Sequence, residues 1–307
     1  MNSFDVSGHP VPGLARALAA GRETPAAGLE SLPWFPFDVA ASPGCRRAAA
    51  RLARRAERAY WYLRHALDFT PRRLRLVILD RDAWHEHAEK CEFGLMHVNG
   101  AGDLVIGAEP ADAWSDIGAW FAEHLDKRTL GSLTSVHGQD LRTRGPALGE
   151  LAEALIAHEL AHVFAENAGV RFPRRWVAEA FANYAMVAVL GETDPPGLRR
   201  LGSLAEAAET VREHTPPLAQ FEAEFGRMDV MASVLAQLAL TRGVYPAYAA
   251  AQAAPLGRLF RMFATGAATG MTTSGDHDLM RALSMHAHPT LAEIPQQFPA
   301  VPYRAAA

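Results

Sequence analysis

Cysteine is nearly absent from this chain. Only Cys45 and Cys91 occur among its 307 residues, too few for a disulfide framework and without the spacing of a cysteine-ligated metal site. Such sparse cysteine usage is typical of a reducing compartment. Residues 1–30 also lack the continuous apolar stretch of a secretory signal. These two absences predict a cytoplasmic protein.

Long hydrophobic runs and an excess of one charge are missing as well. No stretch approaches the roughly 18 uninterrupted apolar residues of a transmembrane helix. The most apolar stretches are broken by Glu179 and Asn183, or by Asp229 and Gln237. The formal net charge is −4, with acidic and basic residues interspersed. This pattern indicates neither nucleic acid nor a membrane as a partner.

The pentad His158–His162 has the order His-Glu-Leu-Ala-His and lies among strong helix formers. Two histidines four residues apart occupy the same face of a helix, so both imidazoles can bind one metal ion. Glu159 lies beside that face, where a carboxylate can take a proton from a water that the metal activates. The pentad therefore predicts metal-assisted hydrolysis with Glu159 as the general base.

A catalytic zinc ion needs a third protein ligand and an open position for water. The first helix is expected to end at Gly169 and a second to begin near Arg174. From His162 to Gly169 the chain rises roughly 10 Å, and from Arg174 to Glu179 it descends roughly 7–8 Å on an antiparallel neighbour. Glu179 therefore returns to the level of His162. The predicted zinc ligands are His158, His162 and Glu179.

The pentad together with the stretch Trp176-Val-Ala-Glu-Ala-Phe-Ala-Asn-Tyr184 resembles the gluzincin metallopeptidases. The similarity is to the aminopeptidase-N-like clan and the bacterial peptidase MA-like domains, in which a Trp-x-x-Glu-Gly-Phe-Ala-x-Tyr stretch supplies the last zinc ligand. It covers about residues 150–190. Ala180 replaces the usual glycine and the loop before Glu179 is slightly shorter, but neither difference removes a ligand. The resemblance implies Zn²⁺ as cofactor and a peptide or protein as substrate.

The resemblance is incomplete at the donor for the developing oxyanion. The aminopeptidase-like group uses a tyrosine in a pattern like Tyr-x-Lys-Gly-x-x-Val-x-x-x-Leu, and the matching stretch Phe225–Leu235 begins with phenylalanine. Loss of one such donor typically costs on the order of 10²–10³ in rate. The Gly-x-Met-Glu-Asn stretch that holds a substrate amino terminus is also missing, so exopeptidase activity is not supported. The candidate substitutes for the donor are Tyr245, Tyr248, His214 and Arg227.

Two functions of different classes follow from these residues. The first is a zinc-dependent peptidase, because the pentad keeps Glu159, which metal binding alone does not require. The second is a zincin-like structural or partner-binding protein that binds zinc without proteolysis, which the phenylalanine at position 225 favours. Zinc-assisted hydrolysis of a non-peptide substrate is a third alternative.

The expected fold class is α+β and zincin-like, with a small mixed N-terminal sheet and a mostly helical C-terminal part. Residues 1–43 are predicted to form an arm. Residues 44–168 are predicted to form an α/β subdomain with the pentad helix, and residues 169–307 a helical subdomain carrying the third ligand. The zinc ion is expected in the cleft between these two subdomains.

Several further segments bear on the site. The stretch Gly94–Ala108 is predicted to be a hairpin around an Asn-Gly turn. By the resemblance it is a candidate peptide-binding edge, and otherwise an ordinary structural hairpin. The stretch Gly131–Gly145 is predicted to be a loop and a candidate lid, and a helix break is expected at Gly243. His124 and His137 are weaker candidates for additional metal ligands.

Asn183 lies four residues after Glu179, and therefore on the same face of the second helix. Its side chain has two alternative roles. It either orients a zinc ligand through a hydrogen bond or makes a helix-packing contact.

Overall fold

A computed structural model describes residues 28–87, 92–137, 148–264 and 275–300. Helices predominate within these ranges and the strands form one small sheet, which confirms the α+β class. The strands are β1 (Glu30–Ser31), β2 (Asp38–Ala41), β3 (Arg75–Leu79), β4 (His97–Val98) and β5 (Leu104–Gly107). None of the described helices is both long and apolar enough to cross a membrane.

The helices are named in chain order. In the N-terminal part they are α1 (Arg46–Leu67), α2 (Arg81–His87), α3 (Ala113–His124), α4 (Lys127–His137) and α5 (Gly149–Asn167). They continue with α6 (Arg175–Thr193), α7 (Pro195–Glu209), α8 (Leu218–Glu224), α9 (Val230–Ala251), α10 (Ala254–Ala264) and α11 (Asp276–Ala282). Short 3₁₀ turns cover Arg212–His214 and Pro289–Gln297, and a π turn covers Leu283–Ala287.

The sheet has the strand order β1-β2-β3-β5-β4. The inner strands β2, β3 and β5 are parallel, and the outer strands β1 and β4 are antiparallel to their neighbours. In β3, Leu76 and Ile78 face the main core while Val77 and Leu79 face Trp84 of α2, as the two-residue period of a strand requires. The predicted hairpin is confirmed, with β4 pairing to β5. Strand β4 lies at one edge of the sheet and contacts α5.

The predicted arm contributes to the sheet, because β1 and β2 both lie within residues 30–41. Two aromatic side chains anchor this segment, because Phe35 and Phe37 are buried in the main core. The parallel partner of β2 is β3, which comes more than thirty residues later, from Asp38↔Arg75 to Ala41↔Ile78. Pairing between such distant segments leaves no local pattern in the sequence.

Two expectations about segment structure need correction. The stretch Gly131–Gly145 is helical as far as His137, and the remainder lies outside the described residues. The expected break at Gly243 was wrong, because α9 continues through it and through Pro246. A Cβ atom at Gly243 would lie 2.9 Å from Cγ1 of Ile294. This glycine therefore lets the C-terminal 3₁₀ segment pack closely against an unbroken helix.

Candidate metal centre

Helices α5 and α6 bring the three predicted ligands together. The Nε2 atoms of His158 and His162 are 3.2 Å apart. Oε2 of Glu179 lies 3.2 Å from Nε2 of His158 and 3.6 Å from Nε2 of His162. The carboxylate on the second helix thus faces the imidazole pair on the first, at the level that the helix lengths predicted.

The spacing of these donor atoms fits a zinc ion. Zinc binds histidine nitrogen and carboxylate oxygen at about 2.0–2.2 Å, and a tetrahedron of that size has edges of about 3.3–3.5 Å. The three distances between the donor atoms are 3.2, 3.2 and 3.6 Å, close to such edges. Two imidazoles and one glutamate are also a known ligand set of catalytic zinc sites, which keep a further position open.

The chain turns between the two helices at Gly169. This residue has a φ of +68°, a left-handed conformation that glycine adopts without steric cost. Helix α6 is then held at its start by Glu222 of α8, whose carboxylate accepts hydrogen bonds from the backbone N–H groups of Arg175 at 3.2 Å and Trp176 at 2.6 Å. This carboxylate fixes the first turn of α6, and Glu179 follows on the next turn.

The pKa values of the candidate ligands Glu179 and His162 depend on two opposing effects, burial of the groups and the charges close to them. Burial by itself raises the pKa of Glu179, but the charge of His162 and hydrogen bonds from both histidines outweigh it and hold that pKa well below its ordinary value. Burial lowers the pKa of His162, but the charge and hydrogen bond of Glu179 reverse the effect and raise it to about 9. Glu179 is therefore an anion that can ligate a cation.

Glu159 lies beside the three ligands, on the same helix as the histidines. Removal from water raises the pKa of its carboxyl group, and the charges of His158 and His162 only partly oppose that rise. The charge of His97 on β4 acts in the same lowering direction. His97 was not a candidate from the sequence, because only the pairing of β4 at the edge of the sheet brings it near α5.

Asn183 does more than pack between helices. Its Nδ2 donates to the backbone carbonyl of Glu179 at 3.0 Å and to Oε1 of Gln237 at 2.5 Å. Nε2 of Gln237 donates in turn to Oε2 of Glu179 at 2.9 Å. Gln237 lies on α9, and nothing in its local sequence distinguished it as part of the site.

The missing tyrosine has several candidate substitutes, and each of them lies against another part of the fold. The hydroxyl of Tyr248 approaches Gly191, and between Glu179 and Gly191 helix α6 rises roughly 18 Å. The ring of Tyr245 lies close to Gly202 of α7. Both tyrosines lie at least eight residues, roughly 12 Å, further along α9 than Gln237, which contacts Glu179, and neither is at the start of that helix.

The remaining residues of that group are also engaged elsewhere. The ring of His214 packs against Trp120 at a centroid distance of 5.3 Å, and the ring of His124 stacks on the same tryptophan at 4.0 Å. The exposed Arg227 donates to the carbonyl of Ala223. Phe225 precedes α9 and carries the guanidinium of Arg175 over its ring at 4.6 Å.

Among the described residues, the candidate metal ligands that come together are His158, His162 and Glu179. His124 does not join them, and Nε2 of His137 lies 3.4 Å from the hydroxyl of Ser203 instead. Comparisons of this chain with family models, with curated proteins and with solved structures find no match.

Proposed function

We propose that this protein is a zinc-dependent peptidase with a zincin-like fold of the gluzincin type. The proposal is carried by one observation, the convergence of two imidazoles and a carboxylate at the spacing of a tetrahedral zinc site, with Glu159 on the adjacent position of the same helix. A site built only to hold a metal has no need of that second glutamate.

In this mechanism His158, His162 and Glu179 hold the zinc ion. When bound, zinc supplies Lewis acidity, which lowers the pKa of a coordinated water and polarises a substrate carbonyl. The carboxylate of Glu159 accepts the proton of the attacking water and delivers it to the nitrogen of the leaving amine. Its raised pKa suits this role, because a proton carrier works best when its pKa lies near the working pH.

Strand β4 is the proposed binding edge for the peptide. It is an outer strand of the sheet and contacts α5, which carries the pentad. An extended peptide that added to this edge would run alongside the metal ligands, and backbone hydrogen bonds would give affinity without demanding a particular sequence. The substrate class that this arrangement favours is an unfolded segment of a polypeptide.

A second candidate function is zinc binding without efficient proteolysis. Phe225 has no side-chain hydrogen-bond donor, the hydroxyl of Tyr248 lies against Gly191, and the rings of Tyr245 and His214 pack against Gly202 and Trp120. An acyl-transfer site without such a donor is expected to be slower by a factor on the order of 10²–10³. This observation favours a structural or partner-binding role for the same metal site.

The substitution Glu159→Gln separates the two functions. If the protein is a peptidase, the variant keeps its zinc and loses about 10²–10⁴-fold in peptide hydrolysis, the usual contribution of a general base. Zinc content is measured by elemental analysis, and turnover with a broad library of quenched fluorescent peptides. Glu166→Gln, an exposed position on the same helix, is the matched control and retains both properties.

Wild-type protein that contains zinc but cleaves no peptide would favour the second function. Wild-type protein that takes up no zinc, even after reconstitution, would contradict both.

A further inference from the structure

We propose that Gln237 is the positioning residue of the metal centre, holding one oxygen of Glu179 toward the imidazole pair. Asn183 and Thr241 fix the direction in which the amide of Gln237 points. This inference rests on the proposed zinc site and adds to it a hydrogen-bonded series of side chains from α6 and α9.

Gln237 contacts the oxygen of Glu179 that faces the imidazole pair. Its Nε2 donates at 2.9 Å to Oε2 of Glu179, and that oxygen lies 3.2 Å from Nε2 of His158. A glutamate side chain has three rotatable bonds, so its carboxylate needs an external contact to stay in one orientation. Gln237 supplies that contact from a different helix than either group of ligands.

A neutral donor is suited to this task. An arginine or lysine in the same place would form an ion pair with Glu179 and compete with a metal cation for its charge. The amide of Gln237 orients the carboxylate through a hydrogen bond but leaves its negative charge available. Ligand carboxylates and imidazoles in metal sites are commonly held by such hydrogen-bonding partners.

The direction in which the amide of Gln237 points follows from the hydrogen bonds of Asn183 and Thr241. The backbone carbonyl of Glu179 can only accept, so the atom of Asn183 that lies 3.0 Å from it is Nδ2, and this Nδ2 also donates to Oε1 of Gln237. The hydroxyl of Thr241, which lies 2.9 Å from the backbone carbonyl of Gln237, is also 3.1 Å from Oδ1 of Asn183. Nε2 of Gln237 then faces Glu179. The reverse amide orientation would place Oε1 against a carboxylate oxygen and Nε2 against another donor, so it is disfavoured at both ends.

In the hydrogen-bonded series of Thr241, Asn183 and Gln237, the first two side chains are deeply buried, which argues for a role beyond packing. Asn183 and Thr241 are each 1% exposed, and polar groups at such depth destabilise a fold unless they are hydrogen-bonded. Apolar side chains would fill the same space without that requirement. The hydrogen bonds instead lead from Thr241 through two amides to one carboxylate oxygen. Their common end is the third ligand of the proposed zinc site.

The test is zinc affinity, measured on the full-length metal-depleted protein by competition with a chromophoric zinc chelator. Gln237→Met removes the amide and keeps the length of the side chain. We expect it to raise the Kd for zinc about 10–100-fold, the usual cost of losing a partner that orients a ligand. The matched control is Gln297→Met, which removes a hydrogen bond from Arg242 to the C-terminal segment and leaves the Kd unchanged.

Thr241→Val gives a second, independent measurement. It should raise the Kd by less than Gln237→Met does, and it should have a smaller effect when Gln237 is already methionine, because part of its influence passes through that amide. Its control is Thr193→Val, which removes a similar hydroxyl contact near the far end of α6.

The outcomes distinguish the inference from the proposed function. If the wild type binds zinc and both Gln237→Met and Thr241→Val bind it equally well, the positioning role is wrong and the zinc site stands. If the wild type binds no zinc, the proposed function fails and this inference fails with it. Should Gln237→Met not fold, as judged by circular dichroism, Thr241→Val decides: a wild-type Kd overturns the role and a raised one supports it.

Discussion

At the scale of single residues, the two glutamates of the site differ because their surroundings differ. For Glu179 burial favours the neutral acid, but two histidines at hydrogen-bonding range outweigh it and lower the pKa. For Glu159 burial is the larger influence and the pKa rises. Two carboxyl groups whose environments move their pKa values apart are suited to different tasks. Here one suits a metal ligand and the other a proton carrier.

The protonation of His162 predicts that zinc uptake is coupled to proton release. With a pKa of about 9, its imidazole carries a proton in the metal-free protein at neutral pH. Zinc requires the neutral ring, so binding between pH 7 and 8 should release about one proton. The release should diminish as the pH rises through 9, because the ring loses its proton over that range before zinc binds.

Titration calorimetry in buffers of different ionisation enthalpy measures this number directly. His162→Ala is the control for the source of the proton, because any zinc that this variant still binds should displace fewer protons. Zinc binding by the wild type without proton release at pH 7 would contradict the prediction.

At the scale of elements, the register of α6 against α5 depends on the start of α6. Glu222 accepts two backbone hydrogen bonds there, and an anion at the N-terminus of a helix also interacts favourably with the helix dipole. The glutamate comes from α8, so it acts as a capping group supplied by another helix. Any loosening of this turn would shift Glu179, which lies one turn further along.

We expect Glu222→Ala to lower the free energy of unfolding by about 1–2 kcal/mol, the usual effect of losing a helix cap. Zinc affinity should fall as well, because the third ligand is held less firmly. Urea unfolding of the metal-depleted protein gives the first quantity and chelator competition gives the second. Glu224→Ala is on the same short helix, but its side chain is exposed and accepts a hydrogen bond from Gln220, so this variant should change neither quantity. Equal stability of the two variants would argue against the capping role.

At the scale of the whole molecule, one continuous core connects the sheet to the C-terminal segment. The same hydrophobic cluster contains Phe37 beside the sheet and Phe298 near the end of the described chain. Helix α9 runs through this core, and Gln237 on it contacts Glu179. The 3₁₀ segment Pro289–Gln297 packs on α9 further along, near Gly243. The far end of the chain thus packs on the same helix that carries Gln237.

Gly243→Ala tests that packing. A Cβ atom there would lie 2.9 Å from Cγ1 of Ile294 and 3.3 Å from Cγ of Gln297, so the segment must move. We expect a loss of about 1–3 kcal/mol in the free energy of unfolding, the usual effect of overpacking. Gly131→Ala in α4 is the control, because within the described parts of the chain no atom beyond its own helical turn lies within 4 Å of the added Cβ. In this control the higher helix propensity of alanine should raise the free energy of unfolding by about 0.5–1 kcal/mol. A neutral or stabilising Gly243→Ala would show that the segment is not closely held.

The local geometry around the candidate ligands can be derived from residues that are close together in the chain. The four-residue spacing places His158 and His162 on one face of a helix, and Gly169 ends that helix where the chain must turn. The short connection then returns Glu179 to the same level. These features depend on neighbours in the chain, and the helical repeat is enough to derive them.

The contacts between distant segments could be read only from the folded molecule. It alone paired β2 with β3, kept α9 continuous at Gly243, and brought Gln237 to Glu179 across a separation of 58 residues. The physical reason is the same in each case. Such contacts are selected by the complementarity of whole packed surfaces, and no periodic pattern within one segment records which distant surface it will meet.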